Sequence, residues 1–138
     1  MTAPEEHRQS PFVELIGGRL EVWEEGLVRL SLTVEERHTN PHGVMHGGVL
    51  TTLMDEALGG VIASVRGMEA MWEAPHATVD MNVSFLSNAR AGDEIAVEGR
   101  VLKIGRSVAF GEAEAHRKRD GALIAKGRFT FTIIRRGE

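Results

Sequence analysis

Residues 46–64, HGGVLTTLMDEALGGVIAS, place apolar side chains at Val49, Leu50, Leu53, Met54, Ala57, Leu58, Val61 and Ile62. That i, i+3, i+4, i+7 rhythm predicts a helix, and the breadth of the apolar arc predicts that other structure encloses it on most sides. A narrow stripe of small or polar groups remains: Thr51, Thr52, Asp55, Glu56 and Gly59. A carboxylate on an enclosed helix is costly unless it is paired or used, which singles out Asp55. Gly47 and Gly48 open the helix. Its first backbone N–H groups have no intrahelical partners, and the missing side chains let a ligand approach them. A start of this kind can hold a phosphate, a carboxylate or a developing oxyanion.

The flanking pattern supplies strands. Residues 1–9 read as a loose arm, and Ser10–Pro11 up to Gly17–Gly18 read as a short capped helix. In Leu27–Val34, Val28, Leu30, Leu32 and Val34 alternate with polar residues, giving a strand with one buried face, joined to Leu20–Glu24 by a turn at Glu25–Gly26. Glu35–Met45 is a loop with breakers at Pro41 and Gly43, and Arg66–Pro75 is a connection with no clear pattern. From Ala77 the chain reads as strand after strand. Ala77, Val79, Met81, Val83 and Phe85 alternate with Thr78, Asp80, Asn82 and Ser84; turns follow at Gly92, Gly105 and Asp120–Gly121. One domain over residues 1–138 is expected, with arm and short helix over 1–16. Its architecture is α+β: one long central helix wrapped by a curved antiparallel β-sheet.

Composition narrows the function classes. The chain has 138 residues, enough for one core and not comfortably two. It contains no cysteine, so it has neither disulfides nor a thiol nucleophile. Its net charge of −4 gives no general reason to bind nucleic acid, and the basic groups are scattered among 20 acids. The polar, acidic start is unlike a signal peptide, and no uncharged apolar run approaches the roughly 20 residues a bilayer span needs. A cytoplasmic protein is expected, binding neither membrane nor nucleic acid. His42 and His46 are four apart but sit in a broken loop with no third ligand, so no metal site is expected.

Asn40, His46–Gly47–Gly48 and Asp55 form an N-x5-HGG-x7-D pattern, followed by TVDMN at Thr78–Asn82 and GDE at Gly92–Glu94. This resembles the hotdog-fold acyl-CoA thioesterases of the PaaI-like branch (phenylacetate pathway and human thioesterase superfamily member 2). The resemblance runs from about Gly17 to Ile134. It implies that the Gly47 N–H polarises the thioester carbonyl and that Asp55 is the nucleophile or the general base. It also implies that Asn40 and His46 shape the site, and that Thr78 stands near the attacking water. The turn at Gly105–Arg106–Ser107 would lie near the nucleotide of coenzyme A, with Arg106 the leading phosphate contact, Lys103 next, and Gly48 beside the substrate. No cofactor is implied, since coenzyme A is part of the substrate.

Geometry adds a constraint that is independent of the family. Gly47 and Asp55 are eight residues apart, about 12 Å along one helix. One thioester carbon cannot sit beside both. If they cooperate, Asp55 must come from a second copy, across a two-fold axis that makes two equivalent composite sites. A homodimer is therefore expected, and pairing of dimers into a homotetramer with it. The acyl pocket is expected along Leu50, Met54, Leu58 and Phe85, for an aryl, hydroxyphenylacetyl or medium-chain acyl group. Two rivals stand beside hydrolysis. One is a non-catalytic acyl-CoA-binding hotdog protein. The other is a hotdog dehydratase, which the Asn40, His46 and Asp55 spacing argues against.

Overall fold

The computed structural model describes residues 9–135, so the arm expected over 1–9 lies outside it except for Gln9. Helix α1 (Pro11–Ile16) forms as its punctuation dictates. The Ser10 hydroxyl accepts the Val13 N–H, Pro11 occupies the first turn, and Gly17 ends the helix at φ 84°. Strands β1 (Arg19–Glu24) and β2 (Leu27–Thr33) make the expected hairpin, with Val28, Leu30, Leu32 and Val34 all buried. A 3-10 turn over Glu36–His38 leads to the central helix α2 (Gly47–Arg66). The connection that lacked a pattern contains a further short helix, α3 (Met68–Glu73). The chain ends in β3 (His76–Phe85), β4 (Glu94–Ile104), β5 (Val108–Arg117) and β6 (Ala122–Ile133).

All strand pairs are antiparallel, in one sheet of order β1-β2-β4-β5-β6-β3. One neighbour differs from a simple succession of strands. β4, β5 and β6 form a meander, but β3 pairs with β6 at the far edge, with Thr78 opposite Phe131 and Phe85 opposite Ala125. Alternation tells which residues share a face and is silent on which strand lies alongside. As an edge strand β3 has one hydrogen-bonded side within the chain. The apolar residues expected to be its buried face are largely open: Val79 is 61%, Met81 46% and Phe85 54% exposed.

Helix α2 lies across one face of the sheet, the face to which β3 turns Thr78 and Phe85. Leu50, Leu53, Met54, Ala57, Leu58, Val61 and Ile62 are buried under β2, β4 and β5, while Thr51, Thr52, Asp55, Glu56 and Gly59 form the half-buried stripe that periodicity predicted. By length and composition α2 would suit a membrane span, but its apolar face is the one the sheet covers. Leu50, Met54 and Leu58 therefore belong to the core rather than to an acyl pocket. An apolar arc does not reveal which of its members meets protein and which meets substrate. Two glycines set the helix–sheet distance. A Cβ on Gly99 would come within 2.9 Å of the Ala57 backbone carbon and oxygen, and one on Gly111 within 2.7 Å of Leu58 Cδ2. Glu56 is structural, accepting the Ser10 N–H at 3.0 Å and so tying α1 to α2.

Gly99→Ala should therefore push α2 off the sheet and destabilise the fold by about 1–3 kcal/mol, since the obstacle is backbone and cannot rotate away. A lowered urea midpoint with unchanged m-value would show it; an unchanged midpoint would contradict this packing.

Candidate active site

The helix entrance is built by a loop that binds itself. Asn40 Oδ1 accepts the backbone N–H groups of His42 (2.9 Å) and Val44 (3.4 Å), while the Asn40 N–H donates to Val44 O at 2.8 Å. Gly43 takes φ 77° in this turn, a conformation open to glycine at little cost. Buried His38 anchors the loop from below: its Nδ1 accepts the Glu35 N–H at 2.8 Å and its Nε2 lies 2.7 Å from Ile16 O. Its own carbonyl accepts the His46 N–H at 2.7 Å. Asn40 thus shapes the loop that leads into the helix.

His46 is the N-cap of α2. Its Nδ1 accepts the Gly48 N–H at 2.9 Å, and its carbonyl accepts the Val49 N–H at 3.0 Å. Three of the first four amides are then used: His46 by His38, Gly48 by the imidazole and Val49 by the His46 carbonyl. Among the described residues only Gly47 keeps an N–H without an acceptor at this end. The Phe85 ring lies against it, with Cε1 3.0 Å from where a Gly47 Cβ would be.

Two turns along the helix, Asp55 is half-buried and Oδ1 accepts the Thr78 hydroxyl at 2.5 Å. Oδ2 accepts nothing from the described residues. These contacts reveal how β3 runs: Phe85 meets Gly47, Thr78 meets Asp55, and His76 meets Gly59. β3 lies antiparallel along the polar stripe of α2. The expected site residues consequently fall into two groups, Asn40, His46, Gly47 and Gly48 at one end and Asp55 with Thr78 about 12 Å along the helix.

The basic turn between β4 and β5 lies at the Asp55 end. Ser107 O accepts the Ile133 N–H at 2.8 Å, and Ile133 pairs with His76, two residues before Thr78. Gly105 closes the turn by donating its N–H to Val108 O at 2.7 Å, and Arg106 O accepts from Arg135 Nη2 at 2.6 Å. Burial, with the nearby Arg135 charge added, holds the Arg66 guanidinium below its ordinary range, and Arg135 in turn bonds the Arg106 carbonyl. Lys103 is placed differently. It lines a 430 Å³ groove with Asp80, Phe110 and Arg128 on the sheet face away from α2. Among the described residues no three His, Cys, Asp or Glu side chains gather as a metal site.

The thioesterase superfamily model matches residues 42–124, well over half of the chain and a span holding His46, Gly47, Asp55, Thr78 and Arg106. The chain belongs to the thioesterase superfamily. This thioesterase is 39% identical over 106 residues to acyl-coenzyme A thioesterase 13 of Homo sapiens, covering 76% of this chain and 71% of that protein. The zebra fish thioesterase superfamily member 2 structure superposes with a TM-score of 0.79 at 33% identity, covering 90% of this chain and 88% of the other. The E. coli PaaI protein, from the phenylacetic acid degradation operon, shares the fold with a TM-score of 0.80 at 21% identity, over 91% and 85% of the two chains. The PaaI-like resemblance and the hotdog fold are borne out, and the chain is a thioester hydrolase.

Two histidines carry no signal in the sequence. His38 and His76 belong to no motif, and only the folded chain shows His38 beneath the helix entrance and His76 against α2. The cap is the part of the site with a direct stability cost. His46→Ala should lose about 1 kcal/mol, and His46→Asn should keep most of it, because asparagine also caps. Equal urea midpoints for wild type and His46→Ala would contradict the capping role.

Proposed function

We propose that this thioesterase hydrolyses an acyl-CoA to the carboxylate and free coenzyme A, at sites that each combine the Gly47 amide of one copy with the Asp55 of another. The carrying observation is the partition of the helix: one unsatisfied amide at its start and one carboxylate about 12 Å further on. The thioester carbonyl accepts from the Gly47 N–H, which strengthens its hold as the oxygen becomes an oxyanion. Asp55, with Oδ1 held by Thr78, presents Oδ2 either to a water whose proton it takes or to the carbonyl carbon itself. Water adds its OH to the acyl group, and the thiol of coenzyme A leaves with a proton. Asn40 and His46 hold the entrance in shape. No further cofactor takes part.

Several features support a second copy. β3 is an exposed edge strand whose apolar Val79, Met81 and Phe85 are open, a combination that single chains seldom leave uncovered. Exposed Leu102 and Phe110 on the outer sheet face support pairing of such dimers into a homotetramer. The positive end near Arg106 suits the phosphates of coenzyme A, with Gly105 and Ser107 shaping the turn and Gly48 bordering the substrate. Lys103 has the weakest geometric support, being across the sheet from Asp55. Phe85 beside the entrance, with exposed Met81 further along β3, suits an aryl, arylacetyl or medium-chain acyl group, as in phenylacetate degradation, and a cytoplasmic setting goes with such substrates.

The test is thiol release from phenylacetyl-CoA, hydroxyphenylacetyl-CoA and straight-chain acyl-CoAs. Asp55→Asn should lower kcat about 10²–10⁴-fold with the assembly intact. Gly47→Pro removes the amide hydrogen at a position where proline suits the helix and the extended His46 that precedes it, and its added ring makes the half-exposed Phe85 turn aside, since a Cβ there would stand 3.0 Å from Phe85 Cε1. It should lose about 10²–10³-fold in kcat, and Gly47→Ala, which crowds Phe85 equally but keeps the amide, should lose far less. Tight acyl-CoA binding with no thiol release would contradict hydrolysis and leave a binding protein.

A further inference from the structure

We propose that His76 is a positioning residue for the reaction, setting Thr78 against Asp55 by docking β3 onto α2; the inference rests on the role proposed above for Asp55. β3 has a single neighbouring strand, and its register shifts between Thr78 and Asp80, immediately after the residue that meets the carboxylate. Such an irregularity loosens the ladder and adds twist. Strand pairing therefore holds Thr78 in register from its upstream side only, through His76, Ala77 and Thr78 itself. A second contact on that side, made to the helix, adds to it.

That contact is the His76 side chain. Its Nε2 lies 2.9 Å from Gly59 O, and its Nδ1 lies 3.2 Å from Arg66 Nη1. A carbonyl only accepts and a guanidinium only donates, so Nε2 carries the hydrogen and Nδ1 the lone pair. The imidazole is thereby held as one neutral tautomer between two turns of the helix. Arg66 is itself fastened, donating from Nη2 to Ala70 O at 3.3 Å. Phe131 of β6 meets the imidazole edge to face, with ring centres 5.6 Å apart at 80°. One side chain thus joins α2, β3 and β6.

The spacing makes this a register device. Residues 76 and 78 of β3 project to the same side, and 59 is one helical turn beyond 55. The pairs His76–Gly59 and Thr78–Asp55 are consecutive rungs between strand and helix. Fixing the first limits how far β3 can slide or tilt at the second. The absent side chain at Gly59 keeps the carbonyl open, since a Cβ there would stand 4.0 Å from His76 Nε2. His76 acts through Thr78 rather than on the reacting atoms.

The experiment is a double-mutant cycle on the best substrate of the acyl-CoA panel. His76→Phe keeps a ring against Phe131 and removes both polar bonds; His76→Gln retains a donor and an acceptor. His76→Phe should lower kcat about 10-fold with KM little changed, because an ångström of misalignment costs rate rather than binding. His76→Gln should recover most of that loss. In a Thr78→Val background, His76→Phe should have no further effect on kcat. Equal effects in both backgrounds, or a change confined to KM, would overturn the proposal. If His76→Phe fails to fold, Arg66→Met, which frees Nδ1, replaces it in the same cycle with the same expectation. Asp55→Asn is measured alongside. Full activity there would overturn the role of Asp55 and the inference with it, whereas loss there with additive His76 and Thr78 effects overturns the inference alone.

Discussion

Helix α2 lies so close to the sheet that no side chain fits between Ala57 and Gly99, and the other features of the molecule follow from that contact. With Gly99 and Gly111 beneath it, Leu58 and its apolar neighbours are fully buried in the core. The helix can neither roll nor slide, so its polar stripe has a fixed outlook. β3 lies along that stripe, meeting it at Phe85, Thr78 and His76 in turn. Hydrophobic burial of this kind supplies most of the stability. The exposed cross-strand pairs on the outer sheet face, such as Arg29 with Glu98 at 2.6 Å and Lys126 with Glu112 at 2.8 Å, contribute little each and serve solubility.

A rigid helix also dictates what one chain can do. Its start keeps one amide, that of Gly47, without an acceptor among the described residues, and its middle offers a carboxylate held by a hydroxyl. The rise of an α-helix keeps them about 12 Å apart whatever the side chains do. Under the proposed mechanism a second, antiparallel helix beside the exposed apolar edge brings the missing half, and assembly and chemistry become one requirement.

Much of this is legible in the amino-acid sequence. The capping of α1, the β1–β2 hairpin and the polar stripe of α2 are readable because each rests on local chemistry: a cap, a turn, a period. Asp55 stands out for the same reason, as a carboxylate on an apolar helix. Other parts depend on contacts between distant residues. That β3 pairs with β6 is a choice among sheet neighbours, to which alternation is blind. Leu50, Met54 and Leu58 look like pocket residues because an apolar side chain serves core and pocket equally well. His76 looks ordinary until β3 is laid along the helix, and Lys103 looks close to the nucleotide turn until the face of the sheet is known.

Mixing two dead variants separates a composite site from one confined to a single chain. Gly47→Pro and Asp55→Asn are co-refolded, so that half the dimers carry one copy of each; such a dimer regains one intact pair of Gly47 and Asp55. Activity should return to about a quarter of wild type, as expected for statistical pairing about a two-fold axis. Activity no greater than the residual rates of the two parents, with mixed dimers present, would contradict the shared site.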